Sequence, residues 1–453
     1  MKRDLRLRIH GLFSGFWALS LVLLVSSSGF AEVGVADTLG YRRALTPDEE
    51  ELFCGYLRDD LWSARDAYDS AAVLLIPLEF SFLSNLSGDL RECFKSYFNR
   101  LVLAGDSEFS GISSAGHRLQ HLHLVSRYVR LSADATVAHW LKDHVDNLLL
   151  SADAWQWEHD SFEGILNRVE WKLDADLSSP RLRYGLDKSY YFVLHDQDLL
   201  ALALGMEQIA IHKTVGGLGA CNSCQRAKLL FERYLKERIS WVGDGWVVDV
   251  GKWRDHHTYS MSAYLSVPID DEGKNLPKRP RENVVQDSSH FHRFPSILSA
   301  ACRSIDDSEF LQYLQGVAKG LSFQLLNVVL ETQYSRIPVM KNYMDGWNGY
   351  YRWDYSTHGS PIRGYGPYML SGTFAFGWWA LLGGEVIVPY QRLRDAYPLN
   401  EEELALYADA SSRPRHPAIG NRFTNGLMRG LAKMAVHVAA SNVNAGCAGG
   451  ARS

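Results

Sequence analysis

No stretch of this 453-residue chain is a continuous apolar run of the roughly 20 residues that a membrane-spanning helix needs. Positive charge is not in excess: 47 Lys and Arg stand against 52 Asp and Glu, a net charge of −5, which excludes a basic nucleic-acid binder as a global reading. No Gly/Ser- or Pro-rich linker divides the chain, and no fixed-period repeat of the tetratricopeptide or ankyrin kind is visible. Cysteine is scarce, with six residues, and Cys221-Asn222-Ser223-Cys224 has no second Cys-x-x-Cys to complete a four-cysteine zinc site. The thioredoxin-like pattern that a redox motif requires is also absent. Alternating strands are few, with Gly245 to Val250 and Val386 to Val388 as the best candidates. What remains is a folded, aromatic-rich chain: 46% hydrophobic and 12% Phe, Trp and Tyr.

The first segment reads as an address. Lys2, Arg3, Arg6 and Arg8 precede the apolar run Leu12 to Val25, and small residues lead to Gly29-Phe30-Ala31. That order is a cleaved signal peptide over 1–31, so the mature chain is expected to be periplasmic or secreted, without stable membrane insertion. In an oxidising compartment Cys221 and Cys224 are expected to form a local stapling disulfide, while the full pairing of six cysteines stays open among 15 possibilities.

Residues 32–440 read as a single domain of helices in series, and 441–453, Gly/Ala-rich and containing Cys447, as a disordered tail. Thr46-Pro47-Asp48-Glu49 is a helix start with a capping box and a proline at the first helical position. Helical spacing continues through Asp89 to Ala104, Ser132 to Leu150, Leu186 to His212, Arg226 to Trp241, Asp306 to Glu331 with Asp306 as cap, Pro367 to Leu382, a helix opened by Asn400, and Arg422 to Ala440. The fold class is all-α. An (α/α) toroid, or an incomplete toroid of helical hairpins with minor short strands, is the economical architecture.

Three clusters carry candidate chemistry. In Trp253-Arg254-Asp255-His256-His257-Thr258-Tyr259, a cap at Asp255 would place both histidines in a first turn, where the helix dipole keeps imidazole neutral and able to act as a base. Asp287-Ser288-Ser289-His290-Phe291-His292-Arg293-Phe294, if extended, puts His290 and His292 on one side. Such a pair would hold a divalent metal only with a third ligand such as His256, His257 or His358. No cofactor is otherwise expected. Tyr343 to Trp379 holds 12 aromatic residues and seven glycines. Rings with an apolar face and a polar tip suit sugar rings, and glycines let backbone approach a ligand. Trp347, Trp353, Asp354, His358, Arg363 and Tyr365 are candidate binding residues there, beside Arg254, His256, His290, His292 and Arg293.

Asp255-His256-His257-Thr258-Tyr259 resembles the Asn-Asn-His-Ser-Tyr helix start of periplasmic alginate lyases with an (α/α) toroid. The resemblance implies that His257 abstracts the proton beside a uronate carboxylate and that Tyr259 takes the place of the motif's Tyr. Asp255 and His256 stand where the family has two Asn that bind the carboxylate, and an Asp there would repel it.

The chemistry that follows is a polysaccharide lyase cleaving an acidic glycan by β-elimination. Arg352 or Arg254 would neutralise the carboxylate, His257 would be the base, and Tyr259, Tyr351 or Tyr355 would protonate the leaving oxygen. Glycoside hydrolysis is an alternative, needing two convergent carboxyls from Asp345, Asp354, Asp255 or Glu163. A uronate epimerase shares the proton abstraction. A non-catalytic envelope glycan-binding protein would have the aromatic groove without the convergent His, Tyr and Arg.

Overall fold

The computed structural model describes residues 44–83, 88–105, 115–150, 155–157, 160–162, 164–174, 188–266, 276–353, 364–408, 415–442 and 447. The segment read as a signal peptide lies outside them, as do Glu163, Asp354, Tyr355, His358 and Arg363. The helices are α1 (Pro47–Leu57), α2 (Ala64–Ser81), α3 (Gly88–Ala104), α4 (Ala115–Ser132), α5 (Ala135–Leu150), α6 (Ile165–Asp174), α7 (Asp196–His212), α8 (Asn222–Arg238), α9 (Ser288–Phe291), α10 (Phe294–Ser304), α11 (Ser308–Gln324), α12 (Ile387–Ala396), α13 (Glu401–Tyr407), α14 (Pro417–Gly420) and α15 (Leu427–Ser441). Three small antiparallel ladders accompany them: β1 (Trp155–Trp157) with β2 (Asp160–Phe162), β3 (Ile239–Val242) with β4 (Gly245–Val248), and β5 (Leu330–Glu331) with β6 (Val339–Met340). The fold is all-α with minor short strands. None of the described helices is long and apolar enough to cross a membrane.

The interior helices contact one another in a closed circuit. α2 packs on α4, α4 on α7, α7 on α10, α10 on the 3-10 turn Trp378–Leu382, that turn on α15, and α15 back on α2. Sequence dictates which helix goes inside. Every residue of α7 from Asp198 to Ile211 is buried, as its near-continuous Leu, Ala, Ile and Met demand. α3, α5, α8 and α12 are amphipathic and lay one face against α2, α4, α7 and α15 respectively, or against their neighbours.

A buried ion network ties the circuit together. Glu207 of α7 pairs with Arg127 (3.1 Å) and Arg130 (3.1 Å) of α4, and Arg130 also reaches Glu79 of α2 (2.9 Å). Arg127 then bonds the Ser296 carbonyl (3.2 Å) and the Ser299 hydroxyl (3.0 Å) of α10. Charges removed from water are tolerable only when paired and hydrogen-bonded in this way.

Several boundaries differ from the sequence expectation for local reasons. Thr46 caps its helix with the expected capping box, and Asn400 opens its helix as expected, also with a capping box. The helix expected from Leu186 starts at Asp196, because the Asp198 carboxylate accepts the His195 amide (2.9 Å). The polar His195-Asp196-Gln197-Asp198 stretch is therefore a helix start. Asp307 rather than Asp306 caps α11, accepting from the Phe310 amide (2.8 Å). The helix expected to run on to Glu331 ends at Gln324, passing through a π turn into β5. α8 stops at Arg238 and the chain turns into β3, which contains Trp241. Pro367 to Leu382 is not an α-helix but a pair of 3-10 turns interrupted by Gly377 in the left-handed region. Val386 to Val388 is no strand; it leads into α12. α15 begins at Leu427, after Gly426.

All six cysteines are paired: Cys54–Cys93, Cys221–Cys224 and Cys302–Cys447. The local Cys221–Cys224 staple agrees with the sequence reading. Cys447, expected in a disordered tail, is only 6% exposed and bonded to α10.

The ion network makes a stability prediction. Glu207→Ala leaves two buried guanidiniums short of a carboxylate, so unfolding free energy falls by about 3–5 kcal/mol in urea titration. Glu51→Ala, which breaks the exposed pair with Arg58, leaves the midpoint unchanged.

Candidate functional site

The site is assembled around Asp287. This residue caps the single turn α9, its carboxylate accepting the His290 amide at 3.0 Å. The same carboxylate lies 2.9 Å from His290 Nδ1, accepts the Tyr259 hydroxyl at 2.9 Å, and accepts the Ser289 hydroxyl. Its position is fixed from behind by a bridge to Tyr343 and by the Ser288 amide on the Asn342 carbonyl (2.9 Å). Asp287 is 1% exposed.

On the other side of the ring, Arg352 Nη2 is 3.0 Å from His290 Nε2. A guanidinium can only donate, so Nε2 accepts and the ring proton resides on Nδ1, facing Asp287. Burial alone would raise the Asp287 pKa. The hydrogen bonds of the His290 ring and the Ser289 hydroxyl, with the nearby charge of Arg352, overcome it and hold the carboxyl far below the usual range. Tyr259 and Tyr351 are pushed well above the ordinary phenol value, by burial first and by the Asp287 charge. Both therefore stay protonated, and the Tyr351 hydroxyl lies 3.3 Å from His290 Nδ1.

His290, Ser289 and Arg352 open on a cavity of about 450 Å³ between α2, α4, the start of α7, α9 and the segment before α15. Its described lining carries five arginines (Arg65, Arg293, Arg352, Arg415 and Arg422) against Asp69 and Asp196. Arginine side chains in a cavity wall suit an anionic ligand. Arg293 is buried. It reaches Gln120 (3.1 Å), Asp196 (3.6 Å), the His290 carbonyl (3.4 Å) and the Tyr68 hydroxyl.

The sequence candidates separate into two groups. His290, Arg352, Tyr351 and Tyr259 form one hydrogen-bonded set with Asp287, and His292, Arg293 and Tyr365 line the same cavity. His257 is exposed and does not line it. His256, not Asp255, caps a three-residue 3-10 turn (His257–Tyr259), and Asp255 instead accepts the Ser189 hydroxyl (2.8 Å). His256 and Tyr259 do share a face, their rings 5.8 Å apart. Arg254 pairs with Glu282 (2.7 Å) at the surface. His290 and His292 lie on and just after a helical turn rather than an extended segment, because Asp287 caps that turn. Among the described residues no three His, Cys, Asp or Glu are grouped to hold a metal.

Much of the aromatic cluster is core. Tyr343, Phe374, Trp378 and Trp379 are fully buried, and Trp353, 8% exposed, packs with Met261. Trp347 donates to the Ser262 carbonyl (2.6 Å) and stacks under Arg281, which pairs with Asp345 (2.7 Å). Only Tyr365 and Phe376 of the cluster's described rings reach the cavity.

Sequence reasoning passed over Asp287 as a site residue, although Asp-x-x-His at a helix start is a readable cap that places a carboxylate against an imidazole. Arg65, Tyr68, Asp69, Arg415 and Arg422 gave no local signal, since they join His290 only through the fold. No family model, curated protein or solved structure matches the chain, so the site is read from its own geometry.

The pH dependence of stability follows. Asp287, with its pKa lowered, contributes stability that is complete above the ordinary carboxylate value of about 3.9 and is lost as pH falls through its own lower value. His256 is lowered to about 3, by burial first and then by His257. It acts in the same direction below about pH 6.5. Denaturant titrations across pH are expected to show wild-type stability declining below about pH 6. Asp287→Asn is less stable by about 1–3 kcal/mol at neutral pH, a gap that narrows below about pH 4. A constant gap down to about pH 2 would contradict the assignment.

Proposed function

We propose that the protein is a carbohydrate-active enzyme, a lyase that cleaves an acidic polysaccharide by β-elimination. The observation that carries this reading is the His290 ring, held by Asp287 at Nδ1 and facing the Arg352 guanidinium with Nε2 at the edge of an arginine-lined cavity. In this reading the base is His290 rather than His257.

The steps use groups already in place. A uronate carboxylate entering the cavity competes for Arg352, draws the guanidinium off Nε2 and frees that lone pair. Arg352 then neutralises the carboxylate and acidifies the adjacent C–H. His290 takes that proton, the new C=C forms, and the C–O bond to the next sugar breaks. Asp287 stabilises the imidazolium by the hydrogen bond to Nδ1, as a buried carboxylate does for a general base. The leaving oxygen receives a proton from Tyr68, whose own oxygen accepts from Arg293; His290 then releases its proton to solvent and the Tyr68 phenolate takes one from solvent, which restores both groups. Tyr259 and Tyr351 act through Asp287 and His290 as positioning residues.

Two broader features support the reading. The closed circuit of interior helices with amphipathic helices outside it is what an (α/α) toroid, complete or incomplete, requires. Three disulfides fit an oxidising compartment, hence a periplasmic or secreted enzyme. The two carboxylates lining the cavity, Asp69 and Asp196, are engaged by Arg65 (3.2 Å) and Arg293 (3.6 Å).

Incubation with polyuronates and neutral glycans tests the proposal. Unsaturated product, read by its ultraviolet absorbance, is expected from acidic glycans only. His290→Ala is expected to lower kcat about 10²–10⁴-fold, with a smaller loss for Tyr351→Phe. New reducing ends without the chromophore would establish hydrolysis instead, and an inverted uronate without cleavage would establish epimerisation.

A further inference from the structure

We propose that the stacked pair Tyr334 and Tyr368 forms a ledge beside the cavity, which binds a further pyranose ring of the glycan by its apolar C–H face, irrespective of that sugar's charge. The inference rests on the reading of the cavity as a glycan site.

Two connections place the pair next to the cavity. Tyr368 lies in the chain between Tyr365 and Met369, and both of these line the cavity. Tyr334 lies on the loop that joins β5 to β6, and the hydroxyl of Tyr407, another lining residue, donates to the Pro338 carbonyl at the end of that loop. The Met340 amide in β6 donates to the Ser371 hydroxyl at 2.8 Å, three residues after Tyr368. The two rings stack with their centres 4.6 Å apart and their planes at 30°. Tyr334 is 61% exposed, and Met369, next to Tyr368 on the cavity wall, is 39% exposed. Exposed apolar surface therefore adjoins the cavity here.

The backbone is bent to hold Tyr368 in place. Its φ is +66°, in the left-handed region that a bulky residue adopts only where its surroundings impose it. Asn348 imposes it: Oδ1 accepts the Tyr368 amide at 3.0 Å and the Asn342 amide at 3.1 Å, which ties the pair to the residue whose carbonyl accepts the Ser288 amide beside Asp287. Burial first, and then the Glu331 charge, raises the Tyr368 phenol, so it stays protonated. Arg336, two residues past Tyr334, is engaged by Glu403 at 2.7 Å. The pair therefore offers ring surface rather than charge, and a tyrosine face matches the C–H face of a pyranose. The cavity of about 450 Å³ has the size of a site for a drug-sized ligand, and a polysaccharide extends beyond it. A stacked aromatic surface adjoining the wall gives the emerging sugar a place to bind.

Calorimetric binding to the His290→Ala protein tests the ledge. The probes are oligosaccharides of two, four and six sugars in two series, a homopolymeric uronate and a uronate alternating with a neutral hexose. In each series that binds, the longest is expected to bind at least about tenfold more tightly than the shortest. Adding Tyr334→Ala is expected to remove most of that gain and to leave the affinity of the shortest probe unchanged, whereas Tyr334→Phe, which keeps the ring, retains the gain. Ring contact carries no charge, so the share of the gain that depends on Tyr334 is expected to persist at high salt, where affinity held by arginines falls. Tyr334 is exposed, and a thermal melt of each variant checks folding. Equal affinity at all lengths, a gain untouched by Tyr334→Ala, or no binding in either series would overturn the proposal. Failure of the lyase reading is a separate result: the gain would still depend on Tyr334, yet wild-type protein would release no unsaturated product from either polymer.

Discussion

A single buried carboxylate organises the working part of this protein. Asp287 receives the Tyr259 and Ser289 hydroxyls, the His290 amide and the His290 ring. An ionised carboxyl out of contact with water is costly unless its oxygens are filled, and here four donors fill them. Those donors come from two chain segments, the turn after β4 and the turn α9, while Tyr343 bridges to the Asp287 backbone from a third. Satisfying one charge therefore fixes the orientation and tautomer of His290 and leaves Nε2 directed at Arg352. The reactive geometry is a consequence of hydrogen-bond accounting around Asp287.

That cluster would have no fixed partner wall without the ion network beneath it. Glu207 and Glu79 draw α2, α4 and α7 together through Arg127 and Arg130, and Arg127 extends the link to α10. α10 follows His290 by only a few residues, and α2 carries Arg65, Tyr68 and Asp69. The network thus sets the spacing between the two sides of the cavity. Its cost in desolvation is offset by geometry that also selects one arrangement of four helices, because a register shift in any of them would strand a buried charge.

The helical class was legible because periodicity and caps are local: Thr46 and Asn400 stand where short-range chemistry puts them. His195 to Asp198 was misread because a capping stretch and a polar interruption look alike until the residues just before it, a 3-10 turn at Ser189–Phe192 and an extended Val193, are known not to be α-helical. Of the site, His290, Arg352 and Tyr351 were readable as unusual residues in unusual company. His257 drew attention through a five-residue resemblance, yet the short turn it opens leaves it exposed. The arginines of α2 and of the segment before α15 are more than two hundred residues from His290 or more than a hundred beyond it, and no local pattern marks them. The aromatic cluster gave a true location and an overdrawn role, since most of its rings fill the core around the loop that carries Arg352.

Arg352 itself is held in a conformation that L-residues avoid, with φ at +53°. Such a backbone costs on the order of 1–2 kcal/mol, so the surroundings must impose it. They do so from two directions. Its amide donates to the Thr258 carbonyl at 2.8 Å, and the flanking Tyr351 pairs with Tyr365 in a two-way bridge at 2.9 and 2.7 Å. The partner side of that bridge requires Gly364, at φ +69°, where a Cβ would come within 2.6 Å of the Tyr351 carbonyl. The left-handed twist turns the Arg352 side chain out of the packed pair and toward His290. Relaxing it to an ordinary extended backbone would redirect the side chain and carry the guanidinium away from Nε2. The strain therefore sits at the one residue whose displacement would uncouple the carboxylate-neutralising group from the base, and Thr258, the neighbour of Tyr259, ties it to the same turn that supplies Asp287 with its buried phenol.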